Sequence, residues 1–290
     1  MQALKLVSVK DMPREDWLEY RRKGIGGSDV APICELSKYK SPMAVYLDKI
    51  GELPPLEDND KMKAGRMLEP LIAKWFTEET GIRVMQQHSI FQHREHDFML
   101  ANIDRWVIGK NEGLEIKNTS EYNRDEWAGD KVPVEYMLQC NHYMAVTGAE
   151  RWYVAVLIGG WDFQWRIIER DEDLIRNLIE IEYNFWHNHV LTKQPPAYGH
   201  QDTGLLKDRF PESRPGANME LGEEHSDLMR LVFDSKKALK RAEETHETAK
   251  NRMKSVMGDH ETAWFQGEPV FTWKSNKKGV RSFKIVGGDE

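Results

Sequence analysis

The stretch 98–117 constrains this chain more than any other. Residues 98–104 (FMLANID) alternate as a strand, with Asn102 and Asp104 on one face and Ala101 and Ile103 on the other. Trp106, Val107 and Ile108 continue it, residues 109–113 read as a turn, and Leu114-Glu-Ile-Lys117 returns as the next strand. Period two sends Leu114 and Ile116 into a core and leaves Glu115 and Lys117 on the opposite face, turned toward Asp104. At an effective dielectric near 20, two like charges ~4 Å apart repel by about 4 kcal/mol. A cation between the carboxylates removes that cost, and ligands that are oxygen alone favour magnesium or manganese. Lys117 beside such a cation can hold or deprotonate a water and offset phosphate charge. A surface hairpin with an ordinary Glu–Lys pattern is the plainer reading, and so short a motif leaves it open.

Three other segments carry polar groups that could serve the same site. Residues 24–27 (GIGG) run into Ser28, a good N-cap for a helix over 29–36, after a first helix entered through Asp11 and Pro13, ended by Gly24 and basic at Arg21, Arg22 and Lys23. Flexible glycines there let backbone N–H groups converge, and with Ser28 and Arg21 these donors could meet a phosphate together, or form only a capped turn with a solvated basic patch. A helix over 64–80 has apolar positions Ala64, Met67, Leu68, Leu71, Ile72, Trp75 and Phe76, with Glu69 at their border; Pro70 calls for a helix start or kink nearby. In a helix over 133–148, Gln139 and Tyr143 share one side, while Met137, Cys140, Met144 and Ala145 supply the buried one. Gln139 could hold a phosphate or a water, or be a plain surface glutamine. Ser41-Pro42 opens a further helix that closes at Gly51 and is structural.

Strands over 151–158 and 162–169 and a helix over 172–190 complete the order helix, helix, helix, strands, helix, strands, helix. That order is α/β, a mixed sheet flanked by helices. With 40% hydrophobic residues and ten Trp, the chain has material for a full core. Two cysteines, Cys34 and Cys140, exclude a disulfide framework, a cysteine zinc site and an iron–sulfur cluster. His88, His93 and His96 lack zinc-site spacing and read as scattered surface histidines, and His187 and His189 point to different faces of their helix. No apolar run approaches the ~20 residues that span a bilayer, and the start MQALKLVSVKDMPRED lacks a signal peptide's apolar stretch, so a cytoplasmic protein is expected. The net charge of −7 (41 basic against 48 acidic residues) argues against a passive nucleic-acid coat but not against an enzyme with local basic patches.

The expected domains are a body over 1–200, a linker over 201–220 marked by Gly204, Pro211, Pro215 and Gly216, and a tail over 221–290. The tail reads as a long charged helix to Met257 with one narrow apolar stripe, then two strands around 270–274 and 282–286 joined at Asn276–Gly279.

Together, Asp104…Glu115-Ile-Lys117, helical Glu69 before it and helical Gln139 after it resemble the PD-(D/E)xK restriction-endonuclease-like nuclease core. More narrowly, Arg21…Gly24-Ile-Gly-Gly-Ser28-Asp, Leu100-Ala-Asn-Ile-Asp-Arg105 and Tyr136-Met-Leu-Gln139…Tyr143 resemble the YqaJ-like viral recombinase family, which includes the alkaline exonuclease of phage lambda. The similarity runs through Ile168-Glu-Arg-Asp171 and covers about residues 13–196. It implies a Mg2+-dependent (Mn2+ tolerated) exonuclease that degrades the 5′-ended strand of linear duplex DNA and leaves a 3′ overhang. It also implies a homotrimer working on duplex ends in a bacterial host cell, phage or prophage encoded, with a single-strand annealing protein as partner. Residue by residue, it implies Asp104, Glu115 and the Ile116 carbonyl as metal ligands, Glu69 joining or supporting them, and Lys117 orienting the nucleophilic water. Arg21, Ser28 and Gln139 match positions that hold the 5′-phosphate in the lambda enzyme, with Asn102 and Tyr143 nearby on the DNA side. Asn102 stands where that enzyme has a serine, Arg105 replaces the small residue frequent in this fold, and the tail past about Thr203 has no counterpart there. A structure-specific or restriction-like endonuclease on the same core and a catalytically silent DNA-binding or assembly module are the rival readings.

Overall fold

The computed structural model describes residues 3–53 and 59–287. The chain forms two units, Met1–Glu212 and Ser213–Glu290. The first begins with β1 (Leu4–Ser8), α1 (Arg14–Arg22), β2 (Ile25–Gly26), α2 (Gly27–Ile33), α3 (Pro42–Lys49) and α4 (Asp60–Thr80). It continues with β3 (Val84–Gln86), β4 (Ser89–Gln92), β5 (Met99–Asn102), β6 (Arg105–Val107), β7 (Glu112–Thr119) and α5 (Val134–Thr147). It ends with β8 (Arg151–Ile158), β9 (Asp162–Glu169), α6 (Glu172–Phe185) and α7 (Thr203–Arg209).

A five-stranded mixed sheet, ordered β3-β6-β7-β8-β9, forms the centre. β7 and β8 run parallel, joined by the crossover helix α5, and the other neighbours are antiparallel. β8 shows why: its residues alternate between two cores. Trp152, Val154, Val156 and Ile158 join the cluster shared with α2, α3, α5 and α6, while Tyr153, Ala155 and Leu157 join Ile72, Ala73 and Phe76 of α4. A strand buried on both faces reads as a nearly continuous apolar run, as β8 does. Leu114 and Ile116 of β7 lie on the α4 side, so period two turns Gly113, Glu115 and Lys117 toward α5. A second sheet, β1-β4-β5-β2, carries the N-terminal segment.

Several expectations are corrected here. The strand expected over 98–104 and beyond is two strands in two sheets: β5 pairs with β4 and β2, β6 with β3 and β7, and Ile103–Asp104 form the elbow between them. The glycine loop is not flexible. Gly24 packs so closely that a Cβ would lie 2.5 Å from the Phe98 carbonyl oxygen, and Ile25–Gly26 pair in parallel with Met99–Leu100. Ser28 is not the N-cap: α2 starts at Gly27, and Asp29 reaches back to accept from the Gly26 N–H at 3.1 Å. Likewise Pro13, not Asp11, caps α1, and Asp11 takes a left-handed φ of 61°. Pro70 lies inside a 21-residue helix that starts at Asp60 under an Asn59 cap, and Met67 and Leu71 are exposed. In the expected linker, α7 forms, and buried Asp202 accepts a hydrogen bond from the Ser41 hydroxyl.

The second unit holds α8 (Ser226–Met257) and an antiparallel sheet of β10 (Thr262–Phe265), β11 (Glu268–Ser275) and β12 (Arg281–Ile285). β10 makes three strands of the expected hairpin; Asn276 caps the turn by accepting from Lys278 and Val280 N–H. Among the described residues no helix is long and apolar enough to cross a membrane.

Candidate active site

The elbow presents Asp104 to the edge of β7, where one carboxylate oxygen accepts the Ile116 N–H at 2.8 Å. β6 begins at Arg105, opposite Leu114, so this edge of β7 is open beyond Leu114 while β8 pairs along the other edge. A strand residue projects its N–H and C=O to the same side, so the Ile116 carbonyl also faces Asp104. Glu115, only 3% exposed, faces α5 instead. Its Oε1 accepts from Lys117 Nζ at 2.6 Å and from Gln139 Nε2 at 2.7 Å, while its Oε2 is buried without a partner. Lys117 also donates to Gln139 Oε1 at 3.1 Å and sits 4.6 Å from the centre of the Tyr136 ring. Gln139 donates to the Tyr143 hydroxyl at 2.9 Å, and Tyr143 donates to the Asn102 carbonyl at 3.0 Å. α5 therefore locks β7 to β5 through one line of side chains.

The electrostatics follow from burial. Asp104 is pushed well above the carboxylate range, first by burial and then by Glu115, against the pull of Lys117. Burial alone would lower the Lys117 pKa, but Glu115 and Asp104 raise it, so the lysine is an ammonium in this arrangement. It donates and neutralises; it does not accept a proton in this state.

Glu69 lies beside this group without joining it. Arg105, the residue after Asp104, is buried and holds Glu69 Oε1 at 2.5 Å while also donating to the Asp104 carbonyl at 2.8 Å. Glu69, Asn102 and Asp104 line a cleft of about 900 Å³ together with Trp17, Arg14 and His88.

The donor set fits one hard cation. Among the described residues no three His, Cys, Asp or Glu side chains form a complete cage. The Glu115 charge does act on Asp104, the Ile116 carbonyl lies on the edge that Asp104 meets, and the unpartnered Glu115 oxygen is costly unless something positive meets it. Magnesium commonly takes one or two carboxylates and keeps several waters, which matches this partial shell.

Arg21 and Ser28 stand together: Arg21 Nη2 donates to Ser28 Oγ at 3.0 Å and the guanidinium lies 4.9 Å over Trp17. They abut the carboxylate cluster through Gly27, where a Cβ would lie 2.6 Å from the Tyr143 ring and 2.9 Å from Gln139. Gln139 and Tyr143, expected on the DNA side, are instead buried and spend their polar groups on Glu115, Lys117 and Asn102. The Ile25 and Gly26 N–H groups, expected to converge on an anion, are taken by Phe98 and Asp29.

Two features have no signal in the sequence. Asp29 is buried against Lys49 Nζ (2.6 Å) and Lys40 Nζ (3.3 Å), and Lys49 also donates to the Arg21 carbonyl at 3.0 Å. Burial would raise the Asp29 pKa, but Lys49, Lys40 and Arg21 hold it far below the carboxylate range. His142 is buried between Glu182 Oε1 and the Leu100 carbonyl, each at 2.9 Å. Both sets depend on residues far apart in the chain.

The model of the YqaJ-like viral recombinase domain matches residues 16–150. The chain is similar to the protein YqaJ of Bacillus subtilis (strain 168), at 35% identity over 287 residues, covering 96% of this chain and 90% of that one. In structure it is similar to the alkaline exonuclease LHK-Exo of Laribacter hongkongensis, with TM-score 0.51 and 22% identity over 62% of this chain and 93% of that one. A complex of LHK-Exo with dAMP matches at TM-score 0.52 and 22% identity, over 67% and 97%. The mixed sheet between α4 and α5 is thus the PD-(D/E)xK-like fold of alkaline exonucleases.

Proposed function

The chain belongs to the YqaJ-like viral recombinase family, and from that premise we propose that it is a magnesium-dependent deoxyribonuclease that resects the 5′-ended strand of linear duplex DNA. The observation that carries this reading is the buried Glu115 oxygen without a partner, facing a site shared with Asp104 and Lys117. A divalent cation bound by Asp104, Glu115 and the Ile116 carbonyl would neutralise charge on the scissile phosphate and make a bound water more acidic. Lys117 orients the attacking water through its N–H groups and offsets phosphate charge. Gln139 fixes both Lys117 and Glu115, and Tyr143 ties Gln139 to the strand that leads into Asp104. Arg21 and Ser28 hold the terminal phosphate, which sets the scissile bond a fixed distance from the end. Glu69, held by Arg105, supports the site from outside the ligand set. The 3′ strand so exposed would be handed to a single-strand annealing protein, with the enzyme acting as a homotrimer in the cytoplasm of a bacterial host.

Label release from either end of a linear duplex, with and without magnesium, tests the reading, with a covalently closed circle as control. The expected result is magnesium-dependent release from the 5′ end and an intact circle. Cleavage of the circle would make the protein an endonuclease, and DNA binding without cleavage would make it a silent module. Lys117→Ala and Asp104→Ala should each lose at least 100-fold in rate, in line with the loss of a general catalytic group or charge stabiliser; a rate near wild type would overturn the assignment.

A further inference from the structure

The residues proposed for that reaction all lie in the first unit, and the sheet of the C-terminal unit has two unlike faces. Phe271 opposes Ile285 and Trp273 opposes Phe283, so these four share one face. There Phe271 and Phe283 stack at 5.5 Å, Arg281 lies 3.6 Å over Trp273, and Lys254 of α8 lies 5.8 Å over Phe283. Three rings of this face are thus held by their own packing, while Ile285 stays 57% exposed.

The same register builds the other face. Thr272 opposes Lys284, Lys274 opposes Ser282 and Thr262 opposes Thr272, and the bulge beside Ala263 and Trp264 places its extra residue in β11, so β10 keeps its own alternation. Lys274, Lys284 and Trp264 therefore stand on one side, all exposed, with Lys277 and Lys278 in the turn between β11 and β12, while Phe265 turns to the other side. Trp264 is 64% exposed, and among the described residues it stacks on no other ring. From residue 262 to 286 the chain carries five basic residues (Lys274, Lys277, Lys278, Arg281 and Lys284) and one acidic residue, Glu268, although the whole protein is at −7. Among the described residues no carboxylate is paired with Lys274, Lys277, Lys278 or Lys284. Four unpaired ammonium groups gathered on one small sheet repel one another, and a polyanion relieves that repulsion while releasing its own counterions.

A phosphate backbone satisfies the lysines whether the nucleic acid is single or double stranded. The indole discriminates: an exposed ring stacks on an unpaired base, whereas a duplex keeps its bases stacked on each other. We infer that this face of β10–β12, with Trp264, Lys274, Lys277, Lys278 and Lys284, is a binding surface for single-stranded DNA.

The test is fluorescence anisotropy of the full-length protein in excess chelator, over a salt series, with labelled oligo-dT and a blunt duplex of equal length. Lys277→Gln/Lys278→Gln/Lys284→Gln should weaken oligo-dT binding about tenfold or more and reduce the slope of log K against log salt by about 2, at ~0.7 per lost phosphate contact. Trp264→Ser should weaken oligo-dT binding about tenfold, leaving both the salt slope and duplex binding unchanged. All four positions are on the surface, and the variants should melt as the wild type does. Unchanged oligo-dT affinity in either variant overturns the inference. Equal losses for both probes in the Trp264→Ser protein overturn it too, since the surface would then read phosphate alone. Cleavage of a short linear duplex in magnesium should be unaltered in both variants; failure of the wild type to cleave would count against the nuclease reading and not against this surface.

Discussion

Lys49 and Asp29 show how much a single buried charge can carry here. Lys49 is fully enclosed, and it anchors both the Asp29 carboxylate and the carbonyl of Arg21. Removing one member of a buried ion pair typically costs about 3–5 kcal/mol, because the other is left in low dielectric. Lys40 and Arg21 remain near Asp29 to soften the loss, so Lys49→Ala should cost about 3 kcal/mol in denaturant unfolding. Arg21 should also lose its position, so the preference for 5′-phosphorylated over 5′-hydroxyl ends should narrow in any active Lys49→Ala protein. Arg105 has a different effect. Arg105→Leu frees Glu69 to turn toward Asp104, and Mn2+ titration followed by electron paramagnetic resonance should then show tighter binding than in the wild type. Neither Lys49 nor the Arg105–Glu69 pair could be read from the chain. Residue identity says that a charge exists; only tertiary packing says which partner encloses it.

At the level of elements, patterns that depend on local chemistry were legible. The bounds of β8 and β9, the Ser41 cap that accepts from Ala44, and the left-handed Gly148 that ends α5 all follow from periodicity and capping. Alternation predicted Asp104 on a shared face with Glu115 and Lys117; instead Asp104 meets the edge of β7 at the Ile116 N–H, and Glu115 turns to Gln139 of α5. The elbow at Ile103–Asp104 was not legible: alternation continues unbroken through it, and only the choice of neighbouring strands reveals the change of sheet. The glycines were misread for a similar reason. A glycine needed for close approach looks the same in sequence as one needed for flexibility, and Gly24 is the former. Gly24→Ala should therefore cost about 1–3 kcal/mol, the usual range for overpacking, since the opposing atom is a backbone carbonyl. His142 joins α5 to β5 and α6. Burial opposes its charge, but the Glu182 carboxylate and the hydrogen bonds raise its pKa above the ordinary 6.5. A raised folded-state pKa gives stability that is full below pH 6.5 and is lost as pH rises through the folded value. The melting temperature should thus fall as pH rises above about 6.5, and His142→Gln should flatten that fall.

For the whole molecule, the division at Glu212/Ser213 gives each unit its own protease resistance. Residues 213–222 are exposed and lack helix or strand, so limited digestion with a glutamate-specific protease should cut first at Glu212 and Glu220 and release fragments close to the two units. Early cuts within 98–158 would contradict this, since those strands and α5 line the central core.

The elbow has one more consequence. Through β2, the sheet that ends at Asn102 also carries the segment between Arg21 and Ser28, while the sheet that starts at Arg105 carries Glu115 and Lys117. Only Ile103 and Asp104 join them along this strand. With Arg21 and Ser28 holding a strand's terminus as proposed, that grip and the aspartate would share a single crank, and a tug on the captured end would be transmitted to the carboxylate itself. Seating a terminus and setting Asp104 would then be one mechanical event, and a molecule geared this way would advance along its track without letting go of its register.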